Sequence, residues 1–182
     1  MKLPAATASA FLFLLSVCQA EEVKIKVAPG EFWLCEIVST ALNKEAEGTI
    51  SFLEAVEHEK WATVLSVELV SGSDRVVYGL SIGQRIRTKP AEVFQRFYPF
   101  EEGSVMEPLG NYNTASALPF RLEWVGSGAF RVQLGTASPK VFITKATVGR
   151  ARIRISGGTA LVSLKFGSSL MCPAEAIARS TE

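Results

Sequence analysis

The sequence has 182 residues, 48% of them hydrophobic, and its 19 basic and 18 acidic side chains give a formal net charge of +1. This length supports one domain with a sizeable core, and the balanced charge argues against a surface built for bulk nucleic-acid or membrane binding. We therefore expect a single domain with no nucleic-acid partner.

The segment Met1–Ala20 is predicted to be a secretory signal peptide, because a lone Lys2 precedes a short apolar run and small residues at the end. Cleavage is expected after Ala20. A lipoprotein acylated at Cys18 is the alternative, disfavoured because Val17 stands where a small residue is preferred. The apolar run is shorter than the about 20 residues of a membrane span. The sequence thus predicts a secreted, extracellular domain over 21–182 without a membrane span.

Two cysteines, Cys35 and Cys172, remain after the signal peptide. An even pair in an oxidising compartment is most simply a disulfide, here one that closes a long loop. Two buried free thiols are the alternative.

Alternation of apolar and polar residues predicts a series of strands in the first half of the domain, because successive side chains on a strand point to opposite faces. These strands are expected over 23–27, 32–39, 48–56, 62–70 and 75–87. The segment Ser71-Gly-Ser-Asp74 has strong turn chemistry, so the last two strands should form a hairpin.

Residues 88–118 break this rhythm, since their prolines and glycines leave room only for one helical turn or a short edge strand over 92–97. The segment is rich in aromatic rings: Phe94, Phe97, Tyr98, Phe100 and Tyr112. Such rings either cover the core as a lid or line a ligand site, and in the second case Tyr98 and Tyr112 are the candidate contacts.

The clearest local unit is the stretch Pro119–Leu134. Two alternating apolar runs flank a Gly126-Ser-Gly128 turn, which predicts a β-hairpin with one face in a core. An isolated hairpin is marginal in water, so this unit must belong to a larger sheet.

The remaining strands are expected over 140–146, 150–156 and 159–166, with Gly157-Gly158 as a tight hairpin turn and a helical or frayed tail over 174–179. About nine or ten short strands without a long helix predict an all-β fold, an antiparallel two-sheet β-sandwich of jelly-roll type. The core is predicted to contain Phe52, Leu65, Val67, Tyr78, Leu80, Phe120, Leu122, Trp124, Phe130, Val132, Ile153, Val162 and Leu164.

Catalytic and metal-binding patterns are sparse. The chain has one histidine, His58, which is interpreted as a surface residue, and its paired glutamates lie in polar or turn-like surroundings. We therefore expect no catalytic residue, no metal and no cofactor.

Two basic strand faces are the positive features. Arg85 and Arg87 share one face of their strand, and Arg150, Arg152 and Arg154 share one face of another. Arginines in register can bind a carboxylate or phosphate bidentately, which makes these five residues candidate contacts for an anionic ligand. A solvated face balanced by glutamates is the favoured alternative.

The motifs Tyr78-Gly-Leu-Ser-Ile-Gly-Gln-Arg-Ile-Arg87 and Pro119–Gly135 together resemble the farnesoic acid O-methyltransferase-like domain, across roughly residues 48–166. The Gly-Gly-Trp-Gly-Asn segment of that family is missing from the first motif. The resemblance implies a secreted β-sandwich used as a recognition module, and the enzymatic name does not transfer, because the chain lacks the signals of a methyl-donor fold.

The sequence therefore favours a secreted, non-catalytic binding or interaction module. Its expected partner is an extracellular glycan, a lipid, another anionic ligand or a protein. The alternative function is a secreted hydrolase of unusual type that uses glutamates and His58.

Overall fold

The computed structural model consists of antiparallel strands throughout its described residues, which are 21–39, 45–56, 62–84, 91–97, 105–113, 116–126, 128–144, 148–165, 168–173 and 177–178. The strands are β1 (Glu21–Ser39), β2 (Glu45–Glu54), β3 (Thr63–Ser71), β4 (Val76–Gln84), β5 (Ala91–Phe97), β6 (Val105–Tyr112), β7 (Leu118–Gly126), β8 (Ala129–Leu134), β9 (Lys140–Ile143), β10 (Val148–Leu164), β11 (Ser168–Met171) and β12 (Ile177–Ala178). The all-β sandwich is confirmed. Within these ranges no helix is long and apolar enough to cross a membrane.

Two long strands, β1 and β10, run through both layers of the sandwich. The first half of β10 pairs with β3 and with the second half of β1, whereas its second half pairs with β2 and with the first half of β1. The hydrogen-bonded order is β6-β5-β4-β3-β10-β2-β7-β8-β9. We call the layer from β6 to the first half of β10 sheet A, and the layer from the second half of β10 to β9 sheet B.

The bend between the two sheets lies at Gly157 and Gly158, where the sequence predicted a hairpin turn. That prediction is wrong, because the segments on either side of the glycines pair with different strands and not with each other. Both glycines have positive φ, 54° and 117°, which lets one strand turn sharply. Strand β1 bends beside them with a register shift between Val27 and Phe32, so its two predicted strands are one.

The described parts of the aromatic segment form a strand pair, which corrects the expected long connection. Strand β5 pairs with β4 on one side and with β6 on the other, so it is not an edge strand. Strand β6 ends the order of sheet A, and it carries Pro108. The missing N–H of a proline is tolerated at a sheet edge. Seven of the eight residues of β6 are exposed, so the strand has no buried face that an apolar–polar alternation could reveal.

The predicted core is confirmed in all but one position. Twelve of the thirteen expected side chains are buried, and Trp124 is partly buried against them. The central hairpin is confirmed by the pairing of Phe120 with Leu134 and of Leu122 with Val132.

An aromatic cluster joins the two sheets on the side away from β1. Tyr78 of β4 and Phe97 of β5 contact Phe130 of β8 and Phe142 of β9, with ring centroids 5.0 to 6.0 Å apart. The Tyr78 hydroxyl donates to Gln95 Oε1 at 3.1 Å. Burial raises the pKa of Tyr78, so its hydroxyl stays protonated as the donor that this bond requires.

The chain after β10 returns to β1. Strand β11 pairs with the end of β1, and the two residues of β12 pair with Glu31 and Phe32. The expected helical or frayed tail is therefore wrong at 177–178, and its other residues lie outside the described ranges. Cys172 follows β11 and forms the predicted disulfide with Cys35, with Cα atoms 4.1 Å apart.

Replacing both Cys35 and Cys172 by alanine is expected to lower the free energy of unfolding by about 2–4 kcal/mol, because the disulfide restricts an unfolded chain over a long loop. Urea unfolding of the variant and the oxidised parent measures the difference. Added reductant should destabilise the parent and leave the variant unchanged. Two free thiols in the exported protein, found by mass spectrometry, would contradict the pairing.

Candidate functional site

The predicted arginine face lies on the outer side of sheet A. Arg150, Arg152 and Arg154 alternate with buried residues of β10, and the register places Arg152 between Glu36 of β1 and Glu68 of β3. The structure therefore confirms that the three arginines share a face, and it sets acidic residues on both sides of them.

These arginines are bound by the protein's own carboxylates. Arg152 Nε donates to Glu68 Oε2 at 2.7 Å and Arg152 Nη1 to Asp74 Oδ1 at 3.0 Å. Arg150 donates to Glu36 Oε1 at 2.7 Å and also to Asp74. Glu68 and Arg152 are buried although they lie on the outer face. Arg154 Nη1 lies 3.9 Å from Glu68 Oε1, so three arginines share three acids. This surface is closer to a paired ion network around one buried pair than to an open anion site.

Asp74 connects this network to the predicted turn. It is a non-glycine residue with positive φ, 65°, and its N–H donates to Ser71 O at 3.0 Å. The hydrogen bond from Arg150 holds the pKa of Asp74 below its usual value against the opposing effect of burial, with further lowering from the charges of Arg152 and Arg150. The carboxylate therefore stays ionised through neutral pH and binds both guanidinium groups.

The other sequence candidates divide into one buried residue and several outside the described ranges. Tyr112 is 7% exposed, accepts a hydrogen bond from Phe52 N–H at 3.1 Å and donates to Ser116 O. A ligand would contact the Tyr112 ring only if this side chain moved out of the core. The residues outside the described ranges are Arg85, Arg87, Tyr98 and His58. Ligand contact by the arginine face and by these side chains stays a prediction.

An open cleft of about 370 Å³ lies on the outer face of sheet B. Its floor is a row of small residues from three adjacent strands and from the turn that follows β8. Ser163 of β10 is opposite Thr49 of β2, Thr49 is opposite Pro119 of β7, and Gly135 N–H donates to Pro119 O at 2.9 Å. Because side chains at these positions are short, the row forms a trough across the strands.

Longer polar side chains form the wall of this cleft in the neighbouring row. Glu47 is opposite Arg121 and Arg121 is opposite Gln133, while Lys165 follows the end of β10. Lys165 Nζ lies 2.9 Å from Glu47 Oε2, and Arg121 Nε lies 2.9 Å from Glu45 Oε1 and 3.8 Å from Glu47 Oε2. The ion pairs hold the wall's donors and acceptors in place along the trough.

The two cations of the wall, Arg121 and Lys165, are matched by two carboxylates, Glu47 in the wall and Glu45 beside it. The hydrogen bond from Lys165 holds the pKa of Glu47 below its ordinary value, against the opposing effect of burial, with further lowering from Glu45 and from the charge of Arg121. Glu47 is therefore an ionised acceptor at neutral pH. A general acid needs the opposite shift of its carboxyl pKa, so this group suits binding better than acid catalysis.

Sequence reasoning missed the cleft because its lining combines the hairpin of β7 and β8 with β2 and β10, which are distant from it and from each other along the chain. The available signal was the polar position between buried neighbours, as at Ser163 between Val162 and Leu164, but such positions occur on every half-exposed strand. Among the described residues no group of three or more side chains is placed to hold a metal ion.

No protein-family model matches the chain, and no curated protein matches it at a significant level. Similar solved structures include an alginate lyase from Alteromonas sp. 272, with a TM-score of 0.47 and 7% identity over 85% of this chain and 79% of that chain. Lactose- and MES-liganded congerin II has a TM-score of 0.42 and 10% identity over 82% of this chain and 99% of that chain. A Caenorhabditis elegans galectin has a TM-score of 0.39 and 12% identity over 82% and 90% of the two chains. At these scores the likeness carries no conclusion about function.

Proposed function

We propose that this chain is an exported, non-catalytic binding module that holds an uncharged glycan in the cleft of sheet B. The observation that carries the proposal is the alignment of a small-residue floor with a wall of fixed hydrogen-bonding side chains, from Lys165 to Gln133. Sugar hydroxyls both donate and accept, and this wall offers ionised acceptors beside charged donors.

The balance of charge in the wall favours a neutral ligand over an anionic one. An incoming carboxylate or phosphate would compete with Glu45 and Glu47 for Arg121, which those glutamates already bind. A lipid chain is disfavoured because the floor residues Ser163 and Thr49 carry hydroxyl groups. A volume near 370 Å³ lies at the small end of the range for ligand sites, about 300–1,000 Å³, which suits a short stretch of a glycan.

Export is part of the same proposal. The disulfide between Cys35 and Cys172 supports folding in an oxidising compartment, and the sequence of residues 1–20, outside the described ranges, has the features of a signal peptide. The resemblance to the farnesoic acid O-methyltransferase-like domain stays a prediction and would fit a recognition role.

Arg121→Ala is expected to weaken binding of a neutral oligosaccharide by about tenfold or more, because it removes one charged donor and the cation that holds Glu45, while Glu47 keeps its pair with Lys165. A glycan array on the mature protein identifies the oligosaccharide, and titration calorimetry measures its affinity.

The affinity should stay constant from neutral to mildly acidic pH and fall as the pH drops through the lowered pKa of Glu47, since protonation of this carboxylate removes a hydrogen-bond acceptor.

Arg131→Ala is the matched control for this change. Arg131 lies on the same face and pairs with Glu123 at 2.8 Å with similar exposure, but it does not line the cleft. Equal loss of affinity in both variants would refute a site in the cleft. Release of reducing sugar by the parent protein, abolished by His58→Ala, would favour the alternative of a hydrolase.

A further inference from the structure

We propose that two copies of this chain form a symmetric dimer by pairing their β9 strands edge to edge. Among the described strands β9 has one neighbour, β8, and it forms the outer edge of sheet B. Its side chains Val141 and Ile143 are 58% and 77% exposed. An unpaired strand edge that displays apolar side chains is a template for a further strand.

The two free sheet edges on this side of the sandwich differ in how well they are protected. Strand β6, the edge of sheet A, carries Pro108, a glycine with φ of 126° at Gly110 and a register shift against β5. A proline, an unusual backbone conformation and a register shift each hinder the pairing of a further strand with this edge. Strand β9 contains neither proline nor glycine over Lys140–Ile143, so it is the edge that remains able to pair.

The sequence of β9 is complementary to itself when paired antiparallel. If Phe142 lies opposite Phe142 of the second copy, Val141 lies opposite the second copy's Ile143, and the reverse pair repeats the contact. Residues two apart point to one face, so the four exposed aliphatic side chains would cluster on the outer side of one continuous sheet. A register shifted by one residue would not bring these side chains together.

The neighbouring edge contributes to the same interface. Lys140 of β9 lies 3.5 Å from Glu107 of β6, which places the two edges side by side. Val105 and Met106 of β6 are each 59% exposed there. The exposed apolar side chains of both edges, counted in two copies, supply on the order of 1,000 Å², about what a specific interface needs.

Charge placement also fits a second copy. Among the described residues of the two edges, strand β9 carries one cation, Lys140, and strand β6 carries its carboxylate partner, Glu107. An antiparallel arrangement sets the two Lys140 side chains at opposite ends of the paired strands, so like charges do not meet.

If the proposed glycan function holds, the clefts of both copies lie on the same face of the joined sheet and bind a multivalent glycan together.

The test is sedimentation velocity of the mature protein from about 1 to 100 µM, where mass action favours a dimer at the upper end. The parent protein should approach twice the mass of one chain, and Ile143→Lys should stay at the mass of one chain with an unchanged melting temperature. Met171→Lys is the matched control, because Met171 is 60% exposed on β11, away from this edge. It should dimerise like the parent.

Hydrogen exchange on the parent gives a second readout that needs no variant, and β9 amides should gain protection as concentration rises. A single-chain mass at every concentration, larger open-ended assemblies, dimers of Ile143→Lys or unchanged exchange in β9 would each overturn the proposal. Arg121→Ala should dimerise normally, whereas Ile143→Lys should keep its affinity for a monovalent glycan. Failure of the dimer and failure of the glycan site are thereby distinguished.

Discussion

Arg152→Ala is expected to lower the free energy of unfolding by about 3–5 kcal/mol, because it leaves the buried carboxylate of Glu68 without its main partner. The side chains of Arg152 and Glu68 are 11% and 6% exposed, so water does little to replace the lost bond at 2.7 Å. Arg154 lies 3.9 Å from the other oxygen of Glu68, which offsets part of the loss. Urea unfolding followed by tryptophan fluorescence measures the change.

Two controls separate the buried pair from the exposed charges around it. Arg150→Ala should cost less than about 1 kcal/mol, since its side chain is 42% exposed and surface ion pairs contribute little. Arg152→Met combined with Glu68→Leu should cost much less than Arg152→Ala, because no unpaired buried charge remains. If Arg152→Ala were no more harmful than Arg150→Ala, the network would not be a buried structural element.

The same experiment bears on the predicted ligand role of the arginine face. A triple exchange of Arg150, Arg152 and Arg154 would remove binding residues and destabilise sheet A at once, so a loss of ligand would have two explanations. Arg150→Ala keeps the buried Arg152–Glu68 pair intact. Binding of a ligand that depends on the arginine face should therefore be weakened by this variant with little loss of stability.

Local pattern predicted those parts of the fold that depend on neighbours along the chain. The hairpin Pro119–Leu134 was readable because both its strands and its turn lie within one short stretch. Alternation also assigned the inward side chains, such as Leu65 and Val67, since a strand with one solvated face separates its residues by polarity.

The remaining errors arose where distant strands decide the structure. The sequence around outward-facing polar residues such as Glu68 and Asp74 does not indicate which side chains they bind. Asp74, for example, binds arginines that are 76 and 78 residues away along the chain. Thr49 and Ser163 likewise meet across a chain separation that no local pattern records. The candidate arginines were found because they repeat in one strand, whereas the acids and the cleft depend on which strands become neighbours.

The Gly157-Gly158 pair shows this limit most directly. Two glycines between alternating segments are equally compatible with a hairpin turn between two strands and with a bend within one strand. The outcome depends on the partners of the flanking residues: Ser156 pairs with Phe32 and Val64, whereas Ala160 pairs with Ile25 and Phe52. The glycines thus carry β10 from sheet A into sheet B, and the sandwich closes around this bend.

Gly158→Ala is accordingly expected to lower the free energy of unfolding by about 4 kcal/mol or more, among the largest effects of a single methyl group. An added Cβ would overlap the carbonyl oxygen of Glu54 and approach Thr63 Cγ2 at 3.1 Å, and the φ of 117° is strained for any other residue. The matched control is Gly72→Ala, because its Cβ would meet no atom within 4 Å and its φ is not positive. This control should leave the free energy of unfolding within about 0.5 kcal/mol or raise it slightly. Thermal and urea unfolding measure the stability of both variants. Equal stability of the two would mean that β10 does not bend at Gly158.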